Sequence, residues 1–490
     1  MENTIEIPFK REFLDNCLAD FKTKKDLYDK MYDYAIVGES DARKEYKNNP
    51  NRANLKVKTN FIKKFIKEER DYLLSNKITY ISRTDNKEEL NFIEFKTLHW
   101  SENHDKNLLR DLLTYGQTFE LYYTKKQNNE MLFNSIIVSP REGYVYRDDF
   151  GNITLFMRFF KRKFDTTKQY IDLYTKNFIF HCDENFTQID VPTPNTFGEV
   201  PVSVAEVSRY KELDTLYNEL KDLQDAYETN LSDLVNEISD YRLAYFIAAG
   251  CTMDEKIIAD MKSKGIINVS DKDIVMKFLT KDINDTFVQN TLNTLKKNIY
   301  ELSSHIDTNE KLQSNTSGSA LRNRLIGLEQ RVRDSEGALK DLIQNRLYFM
   351  FLLFNKLNES NYDYRDVTQK FTLNIPQDDL IVAQVLSQLG IGENVSLQTG
   401  LAQLSFVSNP NKEIELIKAE KEANAPKIDL DGIGLDGGGK TLNGAQTQSL
   451  IAVMSQYAQN QLTLGQAVKI VSTAVGISKE EAQSIIEGVL

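Results

Sequence analysis

Residues 213–240 read LDTLYNELKDLQDAYETNLSDLVNEISD, and this stretch decides the fold. Its apolar residues Leu213, Leu216, Leu220, Leu223, Tyr227, Leu231, Leu234 and Ile238 recur in steps of three and four. At 3.6 residues per turn that spacing puts them on one stripe of a helix. The other faces carry Glu212, Asp214, Glu219, Asp222, Asp225, Glu228, Asp233, Glu237 and Asp240 against only Lys211 and Lys221. One long helix is predicted, with a single buried stripe and a strongly acidic exposed surface.

A second helix follows, because Val288, Leu292, Leu295, Ile299, Leu302 and Ile306 alternate steps of four and three. Such a narrow seam is what side-by-side helix packing needs. Between the two helices, residues 243–249, 265–269 and 274–279 read as short strands around a helix at 254–264, a small α/β insert. Residues 307–319 hold Asn309, Ser314, Asn315, Thr316, Ser317 and Gly318 and almost nothing apolar, so a polar loop is expected. A third helix over 320–357 places Leu321, Leu325, Leu328, Val332, Leu339 and Leu342 on one stripe and displays Arg322, Arg324, Arg331 and Arg333 elsewhere. At ~1.5 Å per residue it spans more than ~50 Å. The whole of 208–357 is thus a helical hairpin, an insert, a loop and a long helix, with the rest of the chain flanking it.

Upstream the period changes from helical to alternating. Residues 118–123 and 132–138 flank a polar turn at 126–130, and 143–147 and 153–159 flank another at 148–152, both hairpin signals. Further strands are expected at 170–174, 177–181 and 188–191, making the first 205 residues an α+β region. Residues 41–72 are dense in Lys and Arg around Phe61, Ile62, Phe65 and Ile66, an amphipathic helix with a charged, solvated face. Downstream of a strand expected at 370–375, the tail reads as helices at 377–389, 396–404, 411–423, 445–460, 464–475 and 479–489. Thr463 with Gln466, and Ser478 with Glu481, fit capping boxes. The glycine-rich residues 426–440 read as a linker. The fold class is therefore α+β and predominantly α-helical.

Composition narrows the function. In 490 residues, with 41% hydrophobic and 27% charged, there is room for roughly two to four packed domains. No run approaches the ~20 apolar residues that span a bilayer, and the start lacks a signal-peptide core, so a cytosolic chain is expected. Cys17, Cys182 and Cys251 are far apart, which favours reduced structural thiols over disulfides or a thiolate metal site. A net charge of −11 argues against a protein that grips nucleic acid generically.

Candidate chemistry is sparse. Gly434, Gly439, Lys440 and Thr441 fit G-x-x-x-x-G-K-[ST], and Gly432, Gly434 and Gly437 fit G-x-G-x-x-G. A phosphate loop needs a strand feeding it and later strands carrying a metal-binding carboxylate, whereas the sequence after Thr441 reads as helices. As a calcium loop the stretch fails too, with Ile433 and Lys440 where oxygen ligands belong. His99, His104, His181 and His305 form no ligand or nucleophile pattern, and His305 reads as structural. No catalytic, cofactor or metal site is predicted. A nucleotide-binding enzyme using residues 434–441, or a helical scaffold or adaptor without DNA passage, are the alternatives to the reading below.

The ordered series of segments resembles the portal protein family of tailed double-stranded DNA phages, of the type common in long-tailed phages of Gram-positive hosts. The segments are 60–80 (NFIKKFIKEERDYLLSNKITY), 112–123 (LLTYGQTFELYY), 196–205 (TFGEVPVSVA), 314–325 (SNTSGSALRNRL), 396–420 (SLQTGLAQLSFVSNPNKEIELIKAE) and 442–453 (LNGAQTQSLIAV). One departure is 73–77 (LLSNK), which lacks a glycine often found there.

The resemblance implies a homo-oligomeric ring, usually of twelve subunits, at one capsid vertex of the virion, assembled in the host cytoplasm. It implies double-stranded DNA in transit, a terminase large subunit, a head–tail adaptor or connector, and a major capsid protein with scaffold as partners, with no membrane and no cofactor. Residues 1–207 become an α+β wing, 208–240 and 282–306 the stem helices, 241–281 a clip, and 307–319 a tunnel loop. Residues 320–374 become a long wing helix with its return strand, and 375–490 a helical crown. Asp222, Asp225, Asp233 and Glu237 are then the acidic stem face. Lys311, Asn315, Arg322 and Arg324 line the DNA channel, and Asp254, Glu255, Lys262 and Lys264 belong to a docking surface on the clip.

Overall fold

In the first unit, residues 1–376, amphipathic helices wrap antiparallel sheets. The computed structural model describes residues 5–46, 53–128, 130–241, 245–249, 255–256, 259, 263, 275–279, 285–307, 318–374, 379–390, 394–404, 407, 410–423, 444–459 and 461–487. The first unit begins with helices α1 (Arg11–Tyr32), α2 (Asp41–Glu45) and α3 (Phe61–Leu74), strand β1 (Thr79–Ser82), and helices α4 (Lys87–Thr97) and α5 (His104–Tyr115). Strands β2 (Gln117–Gln127), β3 (Glu130–Val138), β4 (Gly143–Arg147), β5 (Ile153–Arg162), β6 (Asp165–Tyr174), β7 (Phe178–Asp183), β8 (Thr193–Pro194) and β9 (Val202–Glu206) follow. Then come α6 (Leu216–Tyr241), β10 (Tyr245–Ala249), β11 (Val275–Leu279), α7 (Asp285–Leu302), α8 (Gly318–Lys356) and β12 (Val367–Lys370). The protein is mixed α/β and 55% helical.

Among the described residues four antiparallel sheets form, ordered β3-β2-β9, β4-β5-β6-β7-β8, β1-β12 and β10-β11. The hairpins expected at 118–138 and 143–159 are present, with β2, β3 and β5 longer than their signals and β4 matching its own. The strand expected at 188–191 shrinks to one bridge between Cys182 and Gln188, because the chain bulges against β7 before pairing with it resumes at Thr193–Pro194. The strand expected at 370–375 lies instead at Val367–Lys370, where its register is set by β1. Phe371 and partly buried Leu373 then leave the ladder for the helical core.

Helix α5 ends at Gly116, whose φ of 75° is a left-handed conformation that glycine adopts freely. A Cβ there would lie 2.3 Å from the Lys211 carbonyl oxygen, so glycine also lets the approach to α6 press against the α5–β2 turn. From that turn β2 alternates faces. Phe119 and Leu121 enter a core with Val138, Phe156 and Val202, while Glu120 and Tyr122 face the other way, toward α8.

Glu120 is fully buried. It accepts from Arg346 Nε at 3.0 Å, His104 Nε2 at 2.7 Å, Tyr122 Oη at 2.9 Å and Ser135 Oγ at 3.0 Å. Arg346, on α8, also donates to Asp105 at 2.7 Å. Burial pushes the Glu120 carboxyl up, but the Arg346 charge and the His104 hydrogen bond outweigh it and hold the group at about 2. Such a pair contributes little against an apolar replacement of both partners, yet stranding one charge is costly.

The second unit, residues 377–490, contains α9 (Asp379–Leu389), α10 (Leu397–Leu401), α11 (Pro410–Ala423), α12 (Gly444–Ala458), α13 (Leu464–Val475) and α14 (Lys479–Glu487). Leu450, Val453 and Met454 pack with Ala467, Val468, Val471, Ala482 and Ile486. Both capping boxes are present. Thr463 and Gln466 exchange bonds, and Ser478 N donates to Glu481 at 2.9 Å while Glu481 N donates to Ser478 Oγ at 3.2 Å.

Arg346→Met strands the Glu120 charge and is expected to cost about 3–5 kcal/mol in chemical unfolding, while Arg346→Met with Glu120→Leu recovers most of it. Because Glu120 is depressed on folding, its contribution is present above the ordinary carboxyl pKa and lost as pH falls toward about 2. The double variant is therefore expected to show a shallower acid unfolding limb than the parent.

Candidate functional site

Helix α6 is held by a polar ladder as well as by its apolar stripe. Residues 55–62 run antiparallel to it, and their backbone amides donate to its side chains. Leu55 N reaches Asn236 at 2.7 Å, Val57 N reaches Ser232 at 3.0 Å, Thr59 N reaches Glu228 at 2.8 Å and Ile62 N reaches Gln224 at 3.1 Å. Four helical residues advance ~6 Å and two extended residues ~6.6 Å, so every fourth side chain meets about every second amide. Glu228 also accepts from Thr59 Oγ1 at 2.9 Å and from Ser40 Oγ, and it is only 1% exposed. The expected single buried stripe is therefore corrected to two buried faces, since a non-strand segment against a helix needs acceptors for its N–H groups.

This leaves the acidic face narrower than the sequence predicts. Asp222 has a 99% exposed side chain. Asp225 accepts from Tyr34 Oη at 2.7 Å and from Lys221 at 2.8 Å. Asp233 is exposed and accepts from Tyr46 Oη at 2.6 Å, and Glu237 is half-buried. Glu219 is taken up by Arg331, expected to be displayed, at 2.7 Å. Arg331 is drawn in by the buried Glu69, which accepts from its Nε at 2.8 Å, and Glu219 takes the other end of the guanidinium.

The apolar pattern is corrected at its ends. Leu216 and Leu220 are buried, and Leu223 and Tyr227 pack against the same core. Leu213 precedes α6 in a short 3₁₀ turn and is 56% exposed, because the helix starts only after the Asp214–Thr215 turn. At the far ends of the hairpin, Ile238 and Phe287 are exposed, and so is Leu302, where α7 terminates before the seam does.

In the insert, β10 and β11 pair antiparallel, from Tyr245 opposite Leu279 to Ala249 opposite Val275. Glu255 is exposed and helical. Asp254, Lys262, Lys264 and the strand expected at 265–269 lie outside the described residues, as do Lys311, Asn315, Cys251 and the glycine-rich 434–441. Arg322 is on α8, its side chain outside the description, and Arg324 is exposed.

Where α7 leads out and α8 begins, Arg324 lines a cavity of about 560 Å³ together with Lys296, Lys297, His305 and Asp307. Lys296 is paired to Asp307 at 2.6 Å, an ion pair that raises the lysine pKa. Lys296 and Lys297 were missed in the sequence because they flank a seam and fit an ordinary helix surface. His305, which reads as structural in the sequence, lies past the end of α7 and stacks on Phe65. Among the described residues there is no metal-holding cluster, and no helix is long and apolar enough to cross a membrane.

Residues 14–427 match the family of phage portal proteins described as SPP1 Gp6-like. The chain belongs to that family. The portal protein of Bacillus phage SPP1 is 22% identical over 387 residues, covering 73% of this chain and 74% of that protein. Among solved structures, the virion of a native gene transfer agent particle is similar at 9% identity and a TM-score of 0.44, covering 75% of this chain and 90% of that one. The neck of an empty gene transfer agent particle, computed with C6 symmetry, is similar at 10% identity and a TM-score of 0.43, covering 72% and 88%. The portal family match contains every segment quoted above for the resemblance except 442–453. As a phage portal protein the chain is a structural virion component.

Glu228→Ala removes the acceptor of Thr59 N and of two hydroxyls and is expected to cost about 2–3 kcal/mol in unfolding, since each stranded buried donor costs about 1–3 kcal/mol. Amide exchange at Val57 and Thr59 should quicken in the same variant, with Glu228→Gln intermediate. A loss below about 0.5 kcal/mol with unchanged exchange would show that the ladder is not what holds α6.

Proposed function

We propose that this protein is the subunit of a homo-oligomeric portal ring at one capsid vertex, through which double-stranded DNA is packaged and ejected. The observation that carries the reading is the portal family match over residues 14–427, spanning the α6–α7 hairpin, its insert and most of the rest of the chain. On this reading residues 1–207 are the wing, 208–240 and 282–306 the stem, 241–281 the clip, 307–319 the tunnel loop, 320–374 the long wing helix and return strand, and 375–490 the crown. The terminase large subunit and then a head–tail connector dock on the clip through residues such as Asp254, Glu255, Lys262 and Lys264. The capsid and scaffold proteins surround the ring, which assembles in the host cytoplasm and ends in the virion.

The physical case rests on charge. DNA that must slide is better served by a wall that does not bind phosphates, since each phosphate neutralised by Lys or Arg adds salt-dependent affinity. Exposed Asp222 and Asp233 on α6 supply such a wall. Cations lie instead where α7 leads out and α8 begins, at Lys297 and Arg324 with Lys296 paired to Asp307, and Lys311, Asn315 and Arg322 are near them in the chain. There a transient phosphate contact acts as a check on backsliding rather than as a grip. No step in this role needs a nucleophile, a metal or a cofactor, and the work of translocation belongs to the terminase.

Deleting residues 309–318 is expected to leave particles that assemble but do not retain DNA, read as nuclease-protected genome per capsid. Arg322→Ala with Arg324→Ala should lower protected DNA severalfold. Full-length packaging in the deletion variant would favour a scaffold or adaptor role without a DNA-facing loop.

A further inference from the structure

Strands β5 and β6 run past both of their neighbours. Strand β4 keeps pace with β5 only to Arg158, opposite Gly143, and β7 keeps pace with β6 only to Tyr170, opposite Asp183. Residues 160–169 therefore stand out as a two-stranded ribbon, reaching ~15 Å past the sheet at ~3.3 Å per residue. In a chain of net charge −11, this ribbon holds Lys161, Arg162, Lys163 and Lys168 against Asp165 alone. All four cations are exposed, and Lys161, Arg162 and Lys163 enter no ion pair among the described residues. Asp165 is turned toward Tyr170 Oη and Thr167 Oγ1, each at 2.9 Å, and attracts Lys168.

The tip carries Phe164, 95% exposed and the barest large apolar side chain among the described residues. Hairpin turns favour Gly, Asn and Asp, so the loop residues Lys163 and Phe164 are not there for the turn. Below the tip the ribbon is stiffened by stacking. Arg158 lies over Phe160 at 5.0 Å, Phe160 stacks on Tyr170 with centroids 5.7 Å apart, and Arg162 lies over Tyr170 at 4.3 Å. On the opposite face Phe159 stacks on Phe21 of α1, which anchors the base.

Lys161 and Arg162 are consecutive strand residues and so point to opposite faces. A ribbon that docks flat on a protein would gather its charge on one face, and Lys along a free edge discourages an added strand. Cations on both faces of a stiff ribbon with a bare aromatic tip suit a groove that has phosphates on either wall. The major groove of DNA is ~12 Å wide and admits a two-stranded ribbon, and a Phe ring makes apolar contact there with thymine methyl groups.

We propose that the β5–β6 ribbon binds duplex DNA in the major groove, with Lys161, Arg162, Lys163 and Lys168 against the phosphates and Phe164 against the base edges. The negative remainder of the chain repels DNA, which confines the contact to the ribbon and makes it sensitive to salt. The binding stands on the ribbon itself. That it is a second DNA contact, on the wing and additional to the channel, rests on the portal reading.

The test is fluorescence anisotropy of a labelled duplex of about two helical turns, ~20 bp, titrated with the full-length protein from about 50 to 200 mM salt. Four phosphate contacts give a log–log slope of about −3.6, a loss of about a hundredfold in affinity across that range. Lys161→Ala with Lys163→Ala and Lys168→Ala leaves the Arg162–Tyr170 stack in place. It should flatten the slope by up to about 3 units with an unchanged urea midpoint. Phe164→Ser should weaken binding severalfold at every salt without altering the slope. Lys297→Ala with Arg324→Ala, at the other cation cluster, should change affinity and slope less than either. The proposal is overturned by a parent that binds no duplex at about 50 mM salt, by a slope untouched in the lysine variant, or by a Phe164→Ser variant equal to the parent. A loss that follows Lys297 and Arg324 instead overturns it too. Competition by poly-glutamate as effective as by duplex DNA at equal charge would make the ribbon a dock for an acidic protein and overturn it as well. These readouts use free duplex and no capsid, so their failure leaves the portal reading standing.

Discussion

The fit between a helix that advances ~6 Å in four residues and an extended chain that advances ~6.6 Å in two is the constraint on which this structure depends. Gln224, Glu228, Ser232 and Asn236 use it to fasten residues 55–62 along α6. That fastening fixes where α3 begins, because Ile62 N is itself a rung. Helix α3 then presents Phe65 to His305 and Glu69 to Arg331, so the placement of both flanks of residues 308–317 descends from the ladder.

Polar burial does here what apolar burial does elsewhere. The ladder, the Glu120–Arg346 pair and the Glu69–Arg331–Glu219 chain each join α8 or α6 to a distant part of the sequence. None contributes much against a well-packed apolar alternative, but each penalises a wrong register, since a shift of one residue strands a buried charge or amide. For hairpin helices with exposed apolar ends at Ile238 and Phe287, a polar fix on one side leaves the opposite side free to meet neighbours.

Where residues announce themselves by period, the sequence was readable. The α6 and α7 patterns, the β2–β3 and β4–β5 hairpins and both tail capping boxes depend on local spacing and turn chemistry. The second face of α6 was not readable, because Glu228, one of nine acidic residues along the stretch, looks solvated until the amides of residues 55–62 are laid against it. Helix α1 went unassigned although Leu14, Cys17, Phe21, Tyr28 and Met31 are buried on it, since its surface is so charged that the stripe is thin. Arg331 and Arg346 look alike in sequence to the exposed Arg333, and only packing of α8 separates them. Of the proposed channel residues, Asp222 and Asp233 are exposed as expected, while Asp225 is held by Tyr34 and Lys221.

The central claim is that this chain closes into a ring around a channel that DNA passes. Single-particle imaging of the purified protein tests it most directly. The account predicts end-on averages with rotational symmetry and an open centre wide enough for duplex DNA, and side views in which the hairpin tip carrying β10 and β11 projects from one end. Averages showing only monomers or dimers across salt and protein concentration would contradict it.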